Sequence, residues 1–329
     1  MIDDSENLLV IQARNGVPLL VPWGHEKLTP GTGFRSEHIM GDPWVHESAF
    51  IPFDSKVPYA LYEPQGDSRA YFRSAESYSQ SVSNQHYSGS LCATVDVGFA
   101  TASVTGSYDK DIKENKDSTK VSRNVFFRAG VIRFAQEPML NATAYNLLSR
   151  PGGEDAFRAL YGDYFISGFT LGGDSGAFMS VDDVTKQTTD TVTLKATVKV
   201  VFFKPKTYTT STTKTHIDHS LKVTLSGYDT MEGFNIRDPK ISLASAQQKI
   251  VKMVDLADDL EARVMEKLRV LGITSNRELT LSECTHLCGS GIVVGILLIP
   301  FRLLRGYQVG LNLSATNGLV SSLAFESLV

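Results

Sequence analysis

Apolar and polar residues alternate most regularly over TVTLKATVKVVFF, residues 191–203. Val192, Leu194, Ala196, Val198 and Val200 fall on one side of an extended chain, and Thr193, Lys195, Thr197 and Lys199 on the other. After the polar, turn-like KPKTYTTSTTK at 204–214, the pattern resumes: Ile217, Leu221, Val223 and Leu225 alternate with Asp218, Ser220, Lys222 and Thr224. His219 is the one polar residue on that apolar side. Two amphipathic arms around a polar tip predict a long β-hairpin over 191–226. A shorter alternation, with Ala93, Val95, Val97 and Phe99 against Thr94, Asp96 and Gly98, predicts a strand within 88–104. Residues 124–135 also read as strand, and 291–304 as a closing one.

Helical periodicity appears in two places. Residues 138–161 read as helix broken at Arg150-Pro151-Gly152-Gly153, with Phe157, Leu160 and Tyr161 on one face and Gly162 at the end. Residues 243–271 read as one long helix, with Ile250, Val254, Leu260, Val264 and Leu271 near one stripe and Gly272 as its C-cap. Residues 15–66 are rich in Gly and Pro and read as short strands and loops. The charge cluster DKDIKENKDSTKVSR, 109–123, reads as a solvated loop or helix surface. Strands and helices do not alternate regularly, which excludes a doubly wound parallel sheet and favours α+β with an antiparallel sheet.

Composition narrows the function. Of 329 residues 42% are hydrophobic and 21% charged, enough apolar material for a substantial core. The net charge of −4 and the lack of a basic stripe argue against nucleic acid as partner. Cys92, Cys284 and Cys288 do not make a disulfide framework. Cys284-Thr-His-Leu-Cys288 lacks a fourth zinc ligand, and His216-Ile-Asp-His219 is a weak ligand pair, so neither a metal nor a cofactor is expected. An acidic start and an apolar run of only four residues, Leu8–Ile11, do not read as a secretory signal. No apolar run reaches the ~20 residues of a spanning helix. The expectation is a soluble chain, cytoplasmic or exported unconventionally, that meets a membrane only on assembly.

The stretch LYGDYFISGFTLGGDSGAF, 160–178, carries two competing signals. Gly173-Asp174-Ser175-Gly176 resembles the nucleophile loop of trypsin-type proteases, but Ala177 replaces the following glycine. No histidine sits in an Ala-Ala-His-Cys context. A serine hydrolase is thus a remote alternative, and no enzyme is expected. The other signal is Tyr161-Gly162-Asp163-Tyr164-Phe165, six residues, then Gly172-Gly173. It resembles the signature of the membrane attack complex/perforin (MACPF) family: Tyr-Gly-Thr-His-(Phe/Tyr), six residues, Gly-Gly. Tyr161, Gly162, Phe165, Gly172 and Gly173 match at the right spacing, while Asp163 and Tyr164 replace Thr-His.

The helix before the motif, the small-residue segment 88–107, the alternation at 191–226 and the closing LIPFRLL extend the resemblance over about 20–305 of a single domain, 1–329. It implies a bent, twisted, antiparallel four-stranded sheet flanked by helical clusters, as in MACPF proteins and cholesterol-dependent cytolysins. It further implies two segments that refold into membrane hairpins within a ring-shaped homo-oligomer. The glycine pair then reads as a hinge. Val192, Leu194, Ala196, Val198, Val200, Ile217, Leu221, Val223 and Leu225 become the lipid face of the second hairpin, and Ala93, Val95, Val97 and Phe99 that of the first. The chain leaves no room after Arg305 for a targeting module. That resembles short two-component members, typical of fungi, and implies a small aegerolysin-type lipid-binding partner. A non-lytic relative with fixed hairpins, working in defence, adhesion or development, is the alternative.

Overall fold

The computed structural model describes residues 8–24, 28–54, 56–65, 70–77, 83–88, 103–117, 119–181 and 222–314. Two long antiparallel strands form its axis: β6 (Thr119–Phe134) and β7 (Tyr164–Val181), paired along almost their whole length. All 18 residues of β7 are buried, because elements cover both of its faces.

Each long strand has two partners in succession along its outer edge. The first half of β7 pairs with β11 (Val293–Pro300), and the second half with β8 (Lys222–Asp229). β6 pairs with β5 (Ala70–Ser77) over residues 120–127, then with β4 (Ala60–Pro64) over 130–134. The upper half of the sheet therefore runs β1-β11-β7-β6-β4-β10, with β1 at Leu19–Pro22 and β10 at Arg277–Leu279. The lower half runs β9-β8-β7-β6-β5, with β9 at Phe234–Ser242. Two short strands, β2 (Gly33–Phe34) and β3 (Trp44–Val45), attach at the start of β7. The sheet is antiparallel as expected; it has eleven strands among the described residues, where four were expected, because partners succeed one another end to end.

Helices cap the sheet, and their caps follow the sequence. Asn141 caps α3 (Ala142–Leu148) by accepting from the Ala144 N–H at 2.8 Å. α4 (Gly153–Tyr161) buries Phe157 and Tyr161; Leu160, expected on the same face, is 40% exposed. α2 (Val104–Glu114) starts at Ser103, whose side chain accepts from the Gly106 N–H at 3.0 Å. The charge cluster covers the second half of α2, the connection after it and the start of β6: Lys110, Lys113, Glu114 and Lys116 are exposed as expected of a solvated helix surface or loop, but Asp109 and Lys120 are buried.

The helix expected over 243–271 is two helices, α5 (Leu243–Asp258) and α6 (Leu260–Val270), broken at Asp259. α5 buries Ile250, Met253 and Val254 against Val121, Ala177, Met179, Val181, Val223 and Leu225 of the lower sheet. α6 buries Leu260, Val264 and Leu268 in the upper core. A single straight helix could not follow both halves. Gly272 takes a φ of +72°, as its C-cap role requires. The strand expected over 291–304 ends at Pro300; Phe301 turns inward through a 3₁₀ turn, and 305–314 is helical. α1 (Leu8–Arg14) and α7 (Leu281–Cys288) complete the described helices. None of them is long and apolar enough to cross a membrane.

Candidate functional site

The signature residues meet where α4 ends and β7 begins. Gly162 has a φ of +88°, and a Cβ there would lie 2.4 Å from the Phe34 carbonyl oxygen. Glycine alone meets both constraints. Tyr161 stacks against Phe157 at 5.0 Å, and Phe165 packs between Phe50 and Phe301 at 5.1 and 5.0 Å. Asp163 and Tyr164, the two departures from the family pattern, are both anchored. The Asp163 carboxylate accepts from the Ser36 N–H at 2.8 Å and from the Ser36 hydroxyl. The Tyr164 hydroxyl donates to the Ala13 and Val17 carbonyls at 3.0 and 3.1 Å, tying α1 and the residues just after it to β7. Burial raises the Tyr164 pKa to about 12, so it remains a donor at neutral pH.

Gly172 and Gly173 sit where the partners change. β11 leaves β7 with the pair Val293–Leu171, and the Gly172 N–H donates to the Ile292 carbonyl at 2.8 Å. β8 joins at Ser175–Asp229, with the Asp174 N–H donating to Thr230 Oγ1 at 2.8 Å. Across the sheet, β6 carries a bulge between Arg128 and Gly130, where β4 hands over to β5. Neither glycine has a positive φ, so backbone angle is not what demands them. Close approach is what demands them. A Cβ on Gly172 would lie 2.0 Å from the Phe127 carbonyl oxygen, and one on Gly173 would lie 2.8 Å from Leu260 Cδ1 of α6.

Two buried carboxylates flank the change of partners, one on each face. Asp174 is 1% exposed and forms an ion pair with Arg128, which also donates to the Gly173 carbonyl at 3.3 Å. Asp229 is fully buried. Arg263 of α6 holds both its oxygens, at 2.8 and 3.0 Å, and also reaches Glu232 at 3.0 Å. Sequence reasoning missed both pairs. Each acid sits inside a strand pattern, and its distant arginine is set only by tertiary structure, Arg128 by the pairing of β6 with β7 and Arg263 by the docking of α6.

The two faces of the lower sheet differ in chemistry. Val121, Ala177, Met179, Val181, Val223 and Leu225 point to α5. On the opposite face, beneath α2, Lys120, Ser122, Asn124, Ser180 and Ser226 are buried with Phe178 and Tyr228. Hydrogen bonds hold the lysine and asparagine of this polar seat: Lys120 Nζ donates to the Asn115 carbonyl at 2.8 Å, and Asn124 Nδ2 to the Tyr87 carbonyl at 3.0 Å, whereas the Tyr228 hydroxyl has no hydrogen-bond partner among the described residues. Tyr108 of α2 lies 4.5 Å from the Tyr228 ring.

Of the expected lipid-facing residues, Val223 and Leu225 lie in β8, packed under α5. Val192, Leu194, Ala196, Val198, Val200, Ile217 and Leu221 lie outside the described residues, as do Ala93, Val95, Val97 and Phe99. Ser175 is 1% exposed, and its hydroxyl donates to the Tyr228 carbonyl at 3.4 Å. A fluorophosphonate probe is accordingly expected not to label the protein, and Ser175→Ala to change stability by less than about 1 kcal/mol. Cys284 and Cys288 are buried, which pushes their thiols up to about 11 and about 12. As free thiols they stay protonated at neutral pH.

No family model and no curated protein sequence matches the chain. Among solved structures, it is similar to one described as a trapped toxin, at 10% identity and a TM-score of 0.41, covering 87% of this chain and 60% of that one. The cytotoxin suilysin from Streptococcus suis matches at 9% identity and a TM-score of 0.38, covering 88% and 62%. A structure with a MAC/Perforin domain from Bacteroides thetaiotaomicron matches at 12% identity and a TM-score of 0.28, covering 90% and 64%. The chain spans about three fifths of each of these proteins.

Proposed function

We propose that this protein forms pores: it assembles into a ring on a membrane and converts two segments into amphipathic β-hairpins that complete a barrel. One observation carries the reading. At one end of the sheet, β5, β6, β7 and β8 finish side by side, with Ser77 opposite Lys120, Thr119 opposite Val181, and Val181 opposite Val223. Residues 78–118 connect β5 to β6, and 182–221 connect β7 to β8. Each connection therefore joins antiparallel neighbours at the same end. Extending either pair as a hairpin lengthens an existing ladder, with no new register to find.

The side-chain pattern fits this conversion. Strands of ~9–11 residues with one apolar face are what a membrane barrel requires. The apolar side of 217–225 continues that of β8, interrupted at His219, since Ile217, Leu221, Val223 and Leu225 share one parity. Val181 and Val192 differ in parity, so the other arm needs a single-residue bulge within 182–191 to keep its apolar side facing one way. A lone hairpin in lipid would leave its edge groups unpaired, so assembly must precede insertion. The membrane address in this reading is lipid, met directly or through a small aegerolysin-type lipid binder.

The test is dye release from liposomes of varied lipid composition, with and without such a partner. It uses a variant in which an engineered disulfide ties the 191–221 arm to the sheet. Leakage is expected when the disulfide is reduced and none when it is closed. Equal leakage in both states would remove the arm from the mechanism. No leakage at any composition, with any partner, would leave the non-lytic reading in place of this one.

A further inference from the structure

The way α2 is fastened differs from that of every other described helix. Its buried residues include a carboxylic acid, Asp109, 1% exposed. Both carboxylate oxygens are held by Ser88, from the N–H at 2.6 Å and the hydroxyl at 2.8 Å. Among the described residues no cation forms an ion pair with it; the Arg237 guanidinium of β9 is engaged by Asp111 and Glu114 instead. The groups facing it are otherwise neutral or already committed. Tyr108 and Tyr228 are buried phenols, His86 shares a hydrogen bond with Ser122 at 2.9 Å, and Asp174 on β7 is paired with Arg128 on β6. Lys110 and Asp111 flank it on its own helix. Beneath it lie the serines, asparagine and lysine of the seat, which lose little on meeting water, together with Phe178 and Tyr228.

We propose that Asp109 is a proton-operated latch on α2: neutral, it holds the helix on its polar seat, and ionised, it favours release of the helix and entry of water beneath it. Its consequence, a trigger for the first refolding segment, rests on the pore-forming reading; its test does not. Burial pushes the Asp109 carboxyl up to about 7, against the pull of the two Ser88 donors and with a further push from Asp174. Released into water it returns to the ordinary range near 4. The docked value lies above the released one, so the latch is at full strength below pH ~4. It weakens as pH rises and is spent above about 7.

Hydrogen exchange on the intact soluble protein reads this directly. After correction for intrinsic rates, the opening constant of amides in 104–114 is expected to rise about tenfold between pH 6 and pH 8. Asp109→Asn, which cannot ionise, is expected to flatten that dependence, and α5 to be flat in both proteins. His86→Gln is expected to keep the slope. A parent with equal protection at both pH values, a slope surviving in Asp109→Asn, or a slope lost in His86→Gln would each overturn the proposal. Should Asp109→Asn not fold, Ser88→Ala serves. It weakens the hold on the ionised form more than on the neutral one, so it should raise opening at pH 8 more than at pH 6, and equal increases would count against the latch. A slope in a protein that never releases dye keeps the latch and removes the pore-forming reading.

Discussion

Gly172→Ala is expected to destabilise the folded chain by about 3 kcal/mol or more, at the upper end of what overpacking costs. The added methyl would meet the Phe127 carbonyl oxygen at 2.0 Å and Arg128 Cα at 3.2 Å. Both are backbone atoms of β6, fixed by the ladder, so two long strands would have to separate. Gly173→Ala meets side-chain ends instead, Leu260 Cδ1 at 2.8 Å, Val264 Cγ2 at 3.0 Å and Met231 Cγ at 3.1 Å. These can yield, and the expected loss is about 1–2 kcal/mol. Gly152, at φ +70° with nothing within 4 Å, is the control: alanine there costs about 1 kcal/mol from backbone strain alone. Urea denaturation of the three variants ranks them. If Gly173→Ala proves worse than Gly172→Ala, the pair serves the seating of α6 more than the contact between strands.

Arg263→Met should lose about 3 kcal/mol, the lower end for breaking a buried ion pair, because Arg263 itself is 19% exposed. What drives the loss is Asp229, which is fully buried. Without the guanidinium its carboxylate keeps only the Glu232 N–H, at 2.9 Å. The double variant Arg263→Met/Asp229→Asn should recover much of the loss, since removing both partners of a buried pair is far cheaper than removing one. Denaturation of the four proteins in this cycle yields the coupling. A cycle without coupling would mean that α6 is held by Leu260, Val264 and Leu268 alone. The Arg269–Glu266 pair on the same helix is solvated on both sides, and Arg269→Ala is expected to have no measurable effect.

What the sequence disclosed depended on how many faces an element buries. α3 and α4, each with one buried face and a cap, were legible down to the break at Pro151. β8 was legible from Val223 and Leu225, because one side of it packs on α5 and the other on the polar seat. β7 could not be read from alternation, since a strand buried on both faces has none. The split at Asp259 was hidden because Ile250, Val254, Leu260 and Val264 suit one helix as well as two. Only the change of strand partners beneath shows why the helix must turn. The signature residues were legible as a pattern, but not the reason for them. Gly172 is demanded by a carbonyl oxygen on a strand some 45 residues earlier. Asp109 was read as one more member of a charged run, because nothing local marks which of those charges folds inward.

The contrast between the two faces of the lower sheet bears on how the chain would behave in solution with α2 lifted. Such a monomer presents Phe178 and Tyr228 set among serine, asparagine and lysine at the vacated surface, while its apolar strand face stays covered by α5. What it offers other copies there is two rings among polar groups, a smaller apolar patch than the face beneath α5. Opening at α2 therefore exposes the chain to self-association less than opening at α5 would.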